Sequence, residues 1–386
     1  IAEALVRAGG RALVLTEPGG RLASRVVSAG GELIPFPAAT KNPVKLLVNA
    51  GSMARLIRAE SVDLVHARSR APAWSALMAA RRARVPFVTT YHGAYREGNA
   101  VKRFYNAVMA RGDLVIANSG YTADLIAARY ATPRQRINVI HRGVDIDAFD
   151  PARIDARRVA DLRAQWGVKE SIRVVLQMAR LTAWKGQSVL IEAAARLKGA
   201  NKLGGAVVVL AGDAQGRDGY ARELRSQVAN AELGSSVRFV GHVEDVAAAF
   251  LAAHVTVLAS IEPEAFGRAA IEAAAMGCPV IATAIGAPPE TVLARPAVAE
   301  GAVTGWLVPP SDVAGLAERL ALALALPAEE RRAMGARGRA HVLAHFTVEA
   351  MQRQTLAVYD RLLASALAGR FATASPPTVD ADPRQS

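Results

Sequence analysis

Short apolar runs alternate along most of this chain with longer stretches of helical period, the pattern of an α/β fold built on parallel sheets. In the first half the runs predict strands over Ala12–Thr16, Glu32–Phe36, Asp63–His66, Phe87–Tyr91, Asp113–Ala117 and Ile137–His141. Residues Asp145 to Glu170 are charged and short of strand signals, with Pro151 near the start, and read as a linker region. A second series predicts strands over Arg173–Met178, Ala206–Ala211, Val237–Gly241, Val255–Ala259, Pro279–Thr283 and Gly305–Val308. Two doubly wound domains follow, residues 1–165 and 166–349, facing each other across a cleft, with ligands expected beyond the strand carboxyl ends. Helices fill Val313 to about Leu367, and the last, Thr347–Leu367, is long enough to return to the first domain over about 350–367. The tail Gly369–Ser386 is rich in Ser, Pro and Asp without apolar period, which predicts disorder. The opening, Ile1-Ala-Glu-Ala-Leu-Val-Arg-Ala-Gly-Gly10, reads as a helix with a Gly stop and no preceding strand. It predicts a first strand and loop upstream of Ile1.

With 386 residues, two cores of ordinary size can form. No apolar run approaches the ~20 residues needed to span a bilayer, and no secretory signal opens the chain. The single cysteine, Cys278, lies in Met276-Gly-Cys-Pro-Val280 and reads as a buried filler at a helix-to-strand corner, in keeping with a reducing cytoplasm. The net charge of +13 is uneven: residues 1–150 hold 21 Lys and Arg against 11 Asp and Glu. The cations (Arg68, Arg70, Arg81, Arg82, Arg84, Lys102, Arg103) show no aromatic interleaving and no RNA-binding signature. An anionic membrane surface, at the inner face of the plasma membrane, or phosphorylated ligands therefore fit this charge better than nucleic acid.

The most informative stretch is Glu264-Ala-Phe-Gly-Arg-Ala-Ala-Ile-Glu272, which follows the apolar run His254-Val-Thr-Val-Leu-Ala-Ser260. A buried strand feeding a loop and then an Ala-rich helix from near Gly267 puts Glu264 at the strand's carboxyl end and Glu272 inside the helix. The amides of Phe266, Gly267 and Arg268 lie between them, where unpaired N–H groups and the helix dipole attract phosphate. The same letters also fit an ordinary surface helix with two exposed glutamates. A second signal is Arg173-Val-Val-Leu-Gln-Met-Ala-Arg180-Leu-Thr-Ala-Trp-Lys185-Gly-Gln187, in which a strand is followed by two cations in one loop. Arg180 offers a planar fork to phosphate oxygens and Lys185 a compact charge.

Together these segments resemble the retaining glycosyltransferases of GT-B fold grouped as glycosyltransferase family 4. The similarity extends to Ala211-Gly-Asp213, Val240-Gly-His-Val-Glu-Asp245, Met276–Val280, Thr304-Gly-Trp-Leu-Val-Pro309, Tyr91-His92-Gly93, Asn118-Ser119 and Val139–Asp145, and runs from about Ile1 to Leu363. It implies a nucleotide-diphosphate sugar donor and no required cofactor or metal. Glu272 would bind the ribose and Glu264 the donor hexose near its reacting carbon. Arg180 and Lys185 would hold the diphosphate and stabilise it as it leaves. The amides of Phe266, Gly267, Arg268 and Ala269 would add hydrogen bonds, and Gly212, His242 and Val243 would frame the donor and its base. His92 would reach toward the donor sugar, whereas His66 and His141 read as structural. The implied acceptor is a hydroxyl of a lipopolysaccharide or other lipid-linked glycan, attacked on the face the diphosphate leaves.

No G-x-G-x-x-G follows a strand and no G-x-x-x-x-G-K-[ST] occurs, which weakens oxidoreductase and P-loop readings. Asp145-Ile-Asp147 resembles a metal-binding pair but precedes Phe149-Asp-Pro151 and reads as a turn. A sugar-nucleotide epimerase and a non-catalytic sugar-nucleotide-binding protein share the expected architecture and remain the alternatives.

Overall fold

The computed structural model describes residues 1–20, 22–38, 40–95 and 98–374. The chain divides into two compact units. The first comprises Ile1–Asn118, Thr122–His141 and the chain from Glu349 on; the second comprises Ser119–Tyr121 and Arg142–Val348.

In the first unit, β1 (Leu13–Thr16) and β2 (Glu32–Pro35) form a parallel pair, and β3 (Val65–Ala67), β4 (Phe87–Tyr91), β5 (Leu114–Ala117) and β6 (Ile137–Val139) form a parallel sheet in sequence order. Alternate residues of the central strands enter opposite cores, as the period of two requires. Phe87, Tyr91 and Val115 pack with Met53, Ala76 and Met109, while Val88, Leu114 and Ile116 pack with Leu356 and Tyr359 of the helix Val348–Leu363.

That helix stops earlier than the sequence pattern suggests, because Ala364 turns left-handed at φ 50°. A further helix, Leu367–Thr373, begins where Asp360 accepts hydrogen bonds from the amides of Leu367 (2.7 Å) and Ala368 (2.9 Å). Phe371 is fully buried beside Ala4 and Ala8, and Arg370 donates to the Ala8 carbonyl at 2.7 Å. The expected structureless tail 369–386 is therefore corrected over 369–373; residues 375–386 lie outside the described residues. The apolar spacing Leu367/Phe371 is one helical turn, too short a signal to stand out.

The second unit carries β7 (Val174–Met178), β8 (Val207–Ala211), β9 (Val237–Gly241), β10 (Val255–Leu258), β11 (Val280–Thr283) and β12 (Gly305–Val308). All pair in parallel, in the order β12-β11-β10-β7-β8-β9. Val175, Val208 and Val257 face a core with Leu190, Ile191, Leu316 and Leu320; Val174, Leu176 and Val209 face another with Phe250, Ala270 and Ala273. The expected linker belongs to this second core. Asp155 caps a helix over Ala156–Gln165, and Leu162, Trp166 and Val168 are buried on the sheet. Arg158 grips Asp245 through two contacts of 2.9 Å. The expected boundary at residue 165 accordingly moves back to His141/Arg142, since the three buried apolar residues Leu162, Trp166 and Val168 were masked by their charged neighbours.

Candidate active site

The strand order of the second unit creates a switch point. The chain lays down β7, β8 and β9 in one direction, then returns to place β10 on the other side of β7. In open parallel sheets, the region beyond the carboxyl ends of the strands at such a switch point is where ligands bind.

The β7 loop carries Arg180 and Lys185 and is fastened by buried glutamines. Gln177, in β7 and 2% exposed, donates to the Lys185 carbonyl at 2.7 Å. Gln187, 1% exposed, donates to the Arg180 carbonyl at 2.8 Å and accepts from Tyr220 at 3.3 Å. The backbones of both cations are thus pinned while their heads remain reachable. Gly186 turns left-handed at φ 67°, and a Cβ there would lie 1.8 Å from the Ala259 carbonyl oxygen, so only glycine lets the β7 loop lie on the β10 loop. The Ile261 amide donates to the Trp184 carbonyl at 2.8 Å across the same seam.

On the β10 loop Glu264 is buried, and its Oε1 receives both Lys185 Nζ and Ser260 Oγ, the latter at 2.6 Å. Ser260 is fixed in turn by Thr283, whose hydroxyl donates to the Ser260 carbonyl at 2.7 Å. The Glu264 backbone bridges to Gly286, whose φ of +83° and lack of a Cβ permit that approach. Lys185 Nζ also lies 4.3 Å from the centroid of the Trp184 ring. Both donors fall on Oε1, so the carboxylate's orientation is fixed through that oxygen.

Gly267, left-handed at φ 78°, turns the chain into the helix Arg268–Ala275, and no side chain caps that helix. The Ala270 amide already donates to the Gly267 carbonyl at 2.9 Å, and the amides of Arg268 and Ala269 before it precede the intrahelical ladder, so this end can receive an anion. Glu272, one turn in, meets Arg268 at 2.6 Å; its side chain is 12% exposed against 66% for arginine. The carboxylate is the more buried partner of this pair and the guanidinium the more exposed. Arg180 is exposed, and its guanidinium lies 3.4 Å from the Gln215 side-chain oxygen.

The switch point thus brings Arg180, Lys185, Glu264, Gly267, Arg268 and Glu272 to one end of one sheet. Other expected residues stand differently. Gly212 donates its amide to the Gly241 carbonyl at 2.7 Å; a Cβ on it would lie 2.1 Å from the Ala179 carbonyl oxygen, so it spaces the loop and offers no amide. Val243 is buried in the sheet core, which leaves only its backbone beside the exposed His242. The Phe266 ring is buried against Phe346, so any donor contact there is through backbone. His92 follows β4 in the first unit, where its carbonyl accepts from Asn118 at 3.4 Å. His66 has Tyr359 and Thr90 hydroxyls at 2.6 Å on its two ring nitrogens, and burial holds its pKa well below the ordinary value, which suits a neutral structural imidazole. Asp145 Oδ1 accepts from the amides of Asp147 and Ala148, both at 3.2 Å, which makes that pair a turn. Among the described residues no group of three or more His, Cys, Asp or Glu could hold a metal ion. Sequence reasoning passed over Gln177, Gln187 and Ser260; the one available signal was a glutamine interrupting the apolar run Val174–Met178.

Comparison with known proteins bears on these features. The family described as glycosyl transferases group 1 matches residues 159–341, and glycosyltransferase family 4 matches residues 1–148. D-inositol 3-phosphate glycosyltransferase of Mycolicibacterium smegmatis is 30% identical over 352 residues, covering 85% of this chain and 75% of that protein. The same-named protein of Mycobacterium tuberculosis is 30% identical, and the match spans 65% of its length. Among solved structures, a glycosyltransferase from Rickettsia africae superposes with TM-score 0.83 at 31% identity, covering 94% of this chain and 93% of the other. HepE from Anabaena, solved with UDP-glucose, gives TM-score 0.76 at 26% identity over 94% and 96%.

Proposed function

This chain belongs to the group 1 glycosyl transferases of family 4 and is a nucleotide-sugar-dependent glycosyltransferase; from that premise we propose that it transfers a hexose, with retention of anomeric configuration, to a hydroxyl of an anionic, lipid-linked glycan acceptor. The observation that carries the reading is the meeting of Lys185 and Glu264 at the switch point, beside an uncapped helix N-terminus.

In this reading the diphosphate lies against the first turn of Arg268–Ala275, with Arg180 and Lys185 on its oxygens. Breaking the bond between the anomeric carbon and phosphate oxygen puts negative charge on the diphosphate and positive charge on the sugar. Fixed cations and helix amides stabilise that negative charge most at the transition state, which is where stabilisation accelerates the reaction. Glu264, with one oxygen clamped, presents the other to a sugar hydroxyl. Glu272 takes the ribose hydroxyls once Arg268 swings aside. The acceptor oxygen bonds to the anomeric carbon on the face the diphosphate leaves, and its proton passes to the departing phosphate oxygen.

The cationic composition of the first half supports an anionic acceptor. The similarity to the mycolicibacterial D-inositol 3-phosphate glycosyltransferase favours a second reading, in which the acceptor is a small polyol phosphate. Nucleotide release from UDP- and GDP-sugars, measured with a membrane-lipid extract and separately with inositol phosphate, distinguishes the two. An inverted anomer in the product refutes retention, and absence of acceptor-dependent release with every donor refutes the reading.

A further inference from the structure

We propose that Trp184 is a positioning residue for Lys185: its indole face holds the lysine ammonium beside Glu264 while the donor is absent and hands it to the diphosphate when the donor binds. This deepens the reading of the donor site and rests on it for the transfer. The contact itself rests only on the β7 and β10 loops.

The meeting of the two side chains is not imposed by the chain. Trp184 and Lys185 are consecutive residues of one 3-10 turn, Ala183–Lys185, where successive side chains point about 120° apart. Lys185 Nζ nevertheless folds back to 4.3 Å from the centre of the Trp184 ring, and from the same position contacts Glu264 Oε1. The backbone beneath both residues is fixed. Gln177 donates to the Lys185 carbonyl at 2.7 Å, and the Ile261 amide donates to the Trp184 carbonyl at 2.8 Å.

What the ring supplies follows from burial. The Lys185 side chain is 20% exposed and that of Glu264 8%, so the pair lies largely out of water. An ammonium has three donors, and the carboxylate oxygen takes one. Among aromatic rings the indole face attracts a cation best, and it replaces part of the lost hydration. A second carboxylate in its place would hold the lysine more firmly, but would then compete with the diphosphate for it. Charge-assisted hydrogen bonds to phosphate oxygens are stronger than contact with a neutral ring. Trp184 is therefore a support that the diphosphate overcomes. Ser260, at 2.6 Å from the same Glu264 oxygen, keeps its hold on that carboxylate after the lysine turns away.

The test combines emission and turnover in the whole protein. Without donor, Lys185→Met should change the tryptophan emission, and the change should vanish in a Trp184→Phe background. UDP or GDP added to the parent should shift emission in the same direction, because the ammonium leaves the ring. In nucleotide release from UDP- and GDP-sugars, Trp184→Leu should lower kcat about 5- to 30-fold, and Trp184→Phe should recover part of the loss. Biosynthetic replacement of tryptophan by its mono- and difluoro analogues drains charge from the ring face with little change of shape. It should lower kcat stepwise in the parent and leave Trp184→Phe unmoved, whereas a purely structural ring would not respond. Emission indifferent to Lys185→Met overturns the contact. Emission that responds to Lys185→Met, but not to a nucleotide that calorimetry shows to bind, overturns the transfer. A kcat unmoved by fluorination overturns the positioning role. Calorimetry that finds neither nucleotide bound refutes the donor reading and with it the transfer, and the donor-free emission then decides the contact alone.

Discussion

Replacing Ser260 by Ala tests whether the Glu264 carboxylate must be held, or merely be present. Ser260 is 1% exposed and its hydroxyl donates at 2.6 Å to the Glu264 oxygen that Lys185 also contacts. A hydrogen bond to a charged group contributes about 1.5–3 kcal/mol. The space vacated by one oxygen is too small for a water to take over the bond. Glu264 is 6% exposed, so bulk solvent cannot replace the donor either. Two consequences are separable. The second unit loses that stabilisation, which for a domain of its size lowers the melting temperature by roughly 3–12 °C. The carboxylate, tethered only to Lys185, then pivots, and misplacement on the order of 1 Å reduces turnover by up to about 100-fold.

Arg180, the helix end and Glu272 are untouched by this change, so donor KM should stay within about twofold of the parent. Steady-state nucleotide release from UDP-glucose, with and without acceptor extract, supplies both constants. Ser260→Thr keeps the hydroxyl and adds a methyl group to a filled site, so it should recover most of kcat without recovering the melting temperature. A Ser260→Ala enzyme that melts early yet turns over at the parental rate would refute the positioning argument and leave the serine a purely structural donor.

The two carboxylates should separate in kinetics: Glu272→Ala raises donor KM by about 10- to 100-fold with a smaller effect on kcat, whereas Glu264→Ala lowers kcat about 100-fold or more; titration with nucleoside diphosphate checks the first and single-turnover rates the second. Gln187→Leu removes the donor that fixes the Arg180 carbonyl at 2.8 Å and should raise donor KM roughly tenfold, a change that Gln187→Glu cannot repair because it supplies no N–H. Burial pushes the His254 imidazole down to about 4 from its ordinary 6.5, with Arg331 and Arg173 adding to the effect. The unfolded chain therefore takes up this proton first, and stability falls as pH drops from 6.5 toward 4; denaturant midpoints should lose part of that slope in His254→Asn, and identical slopes would refute it. Burial raises the Cys278 thiol to about 11, so a disulfide reagent near neutral pH should react only after denaturant is added.

Most of the strand framework was readable because buried parallel strands are short, uniformly apolar and punctuated by charged helices. Phe87–Tyr91, Val237–Gly241 and Gly305–Val308 fall where the pattern puts them, and the others differ by a residue or two at their ends. What escaped were elements whose apolar content is sparse. Leu162, Trp166 and Val168 sit among arginines and acids, and Leu367 with Phe371 is a single helical turn before a polar tail. Such segments gain order from the core they land on, and their own period cannot announce it.

The site divides in the same way. Charged groups at strand ends, Arg180, Lys185, Glu264 and Glu272, are visible because a charge beside a buried strand is locally anomalous. The groups that orient them are not visible, since Gln177, Gln187 and Ser260 act through backbone carbonyls and a shared carboxylate oxygen, contacts that exist only once β7 and β10 are adjacent. Backbone demands are hidden for a related reason. Gly186 and Gly212 look like loop glycines, yet each marks a place where a Cβ would strike a carbonyl of a neighbouring loop. Substituting either by Ala should therefore destabilise the second unit by several kcal/mol, through positive φ and direct collision at both. Thermal unfolding of Gly216→Ala is the control: its φ is also positive, at +80°, but nothing stands within 4 Å, so it should suffer only the backbone term of about 1–2 kcal/mol. Equal losses at Gly186 and Gly216 would show that conformation alone matters there, and would remove the close approach of the two loops as the reason glycine is needed.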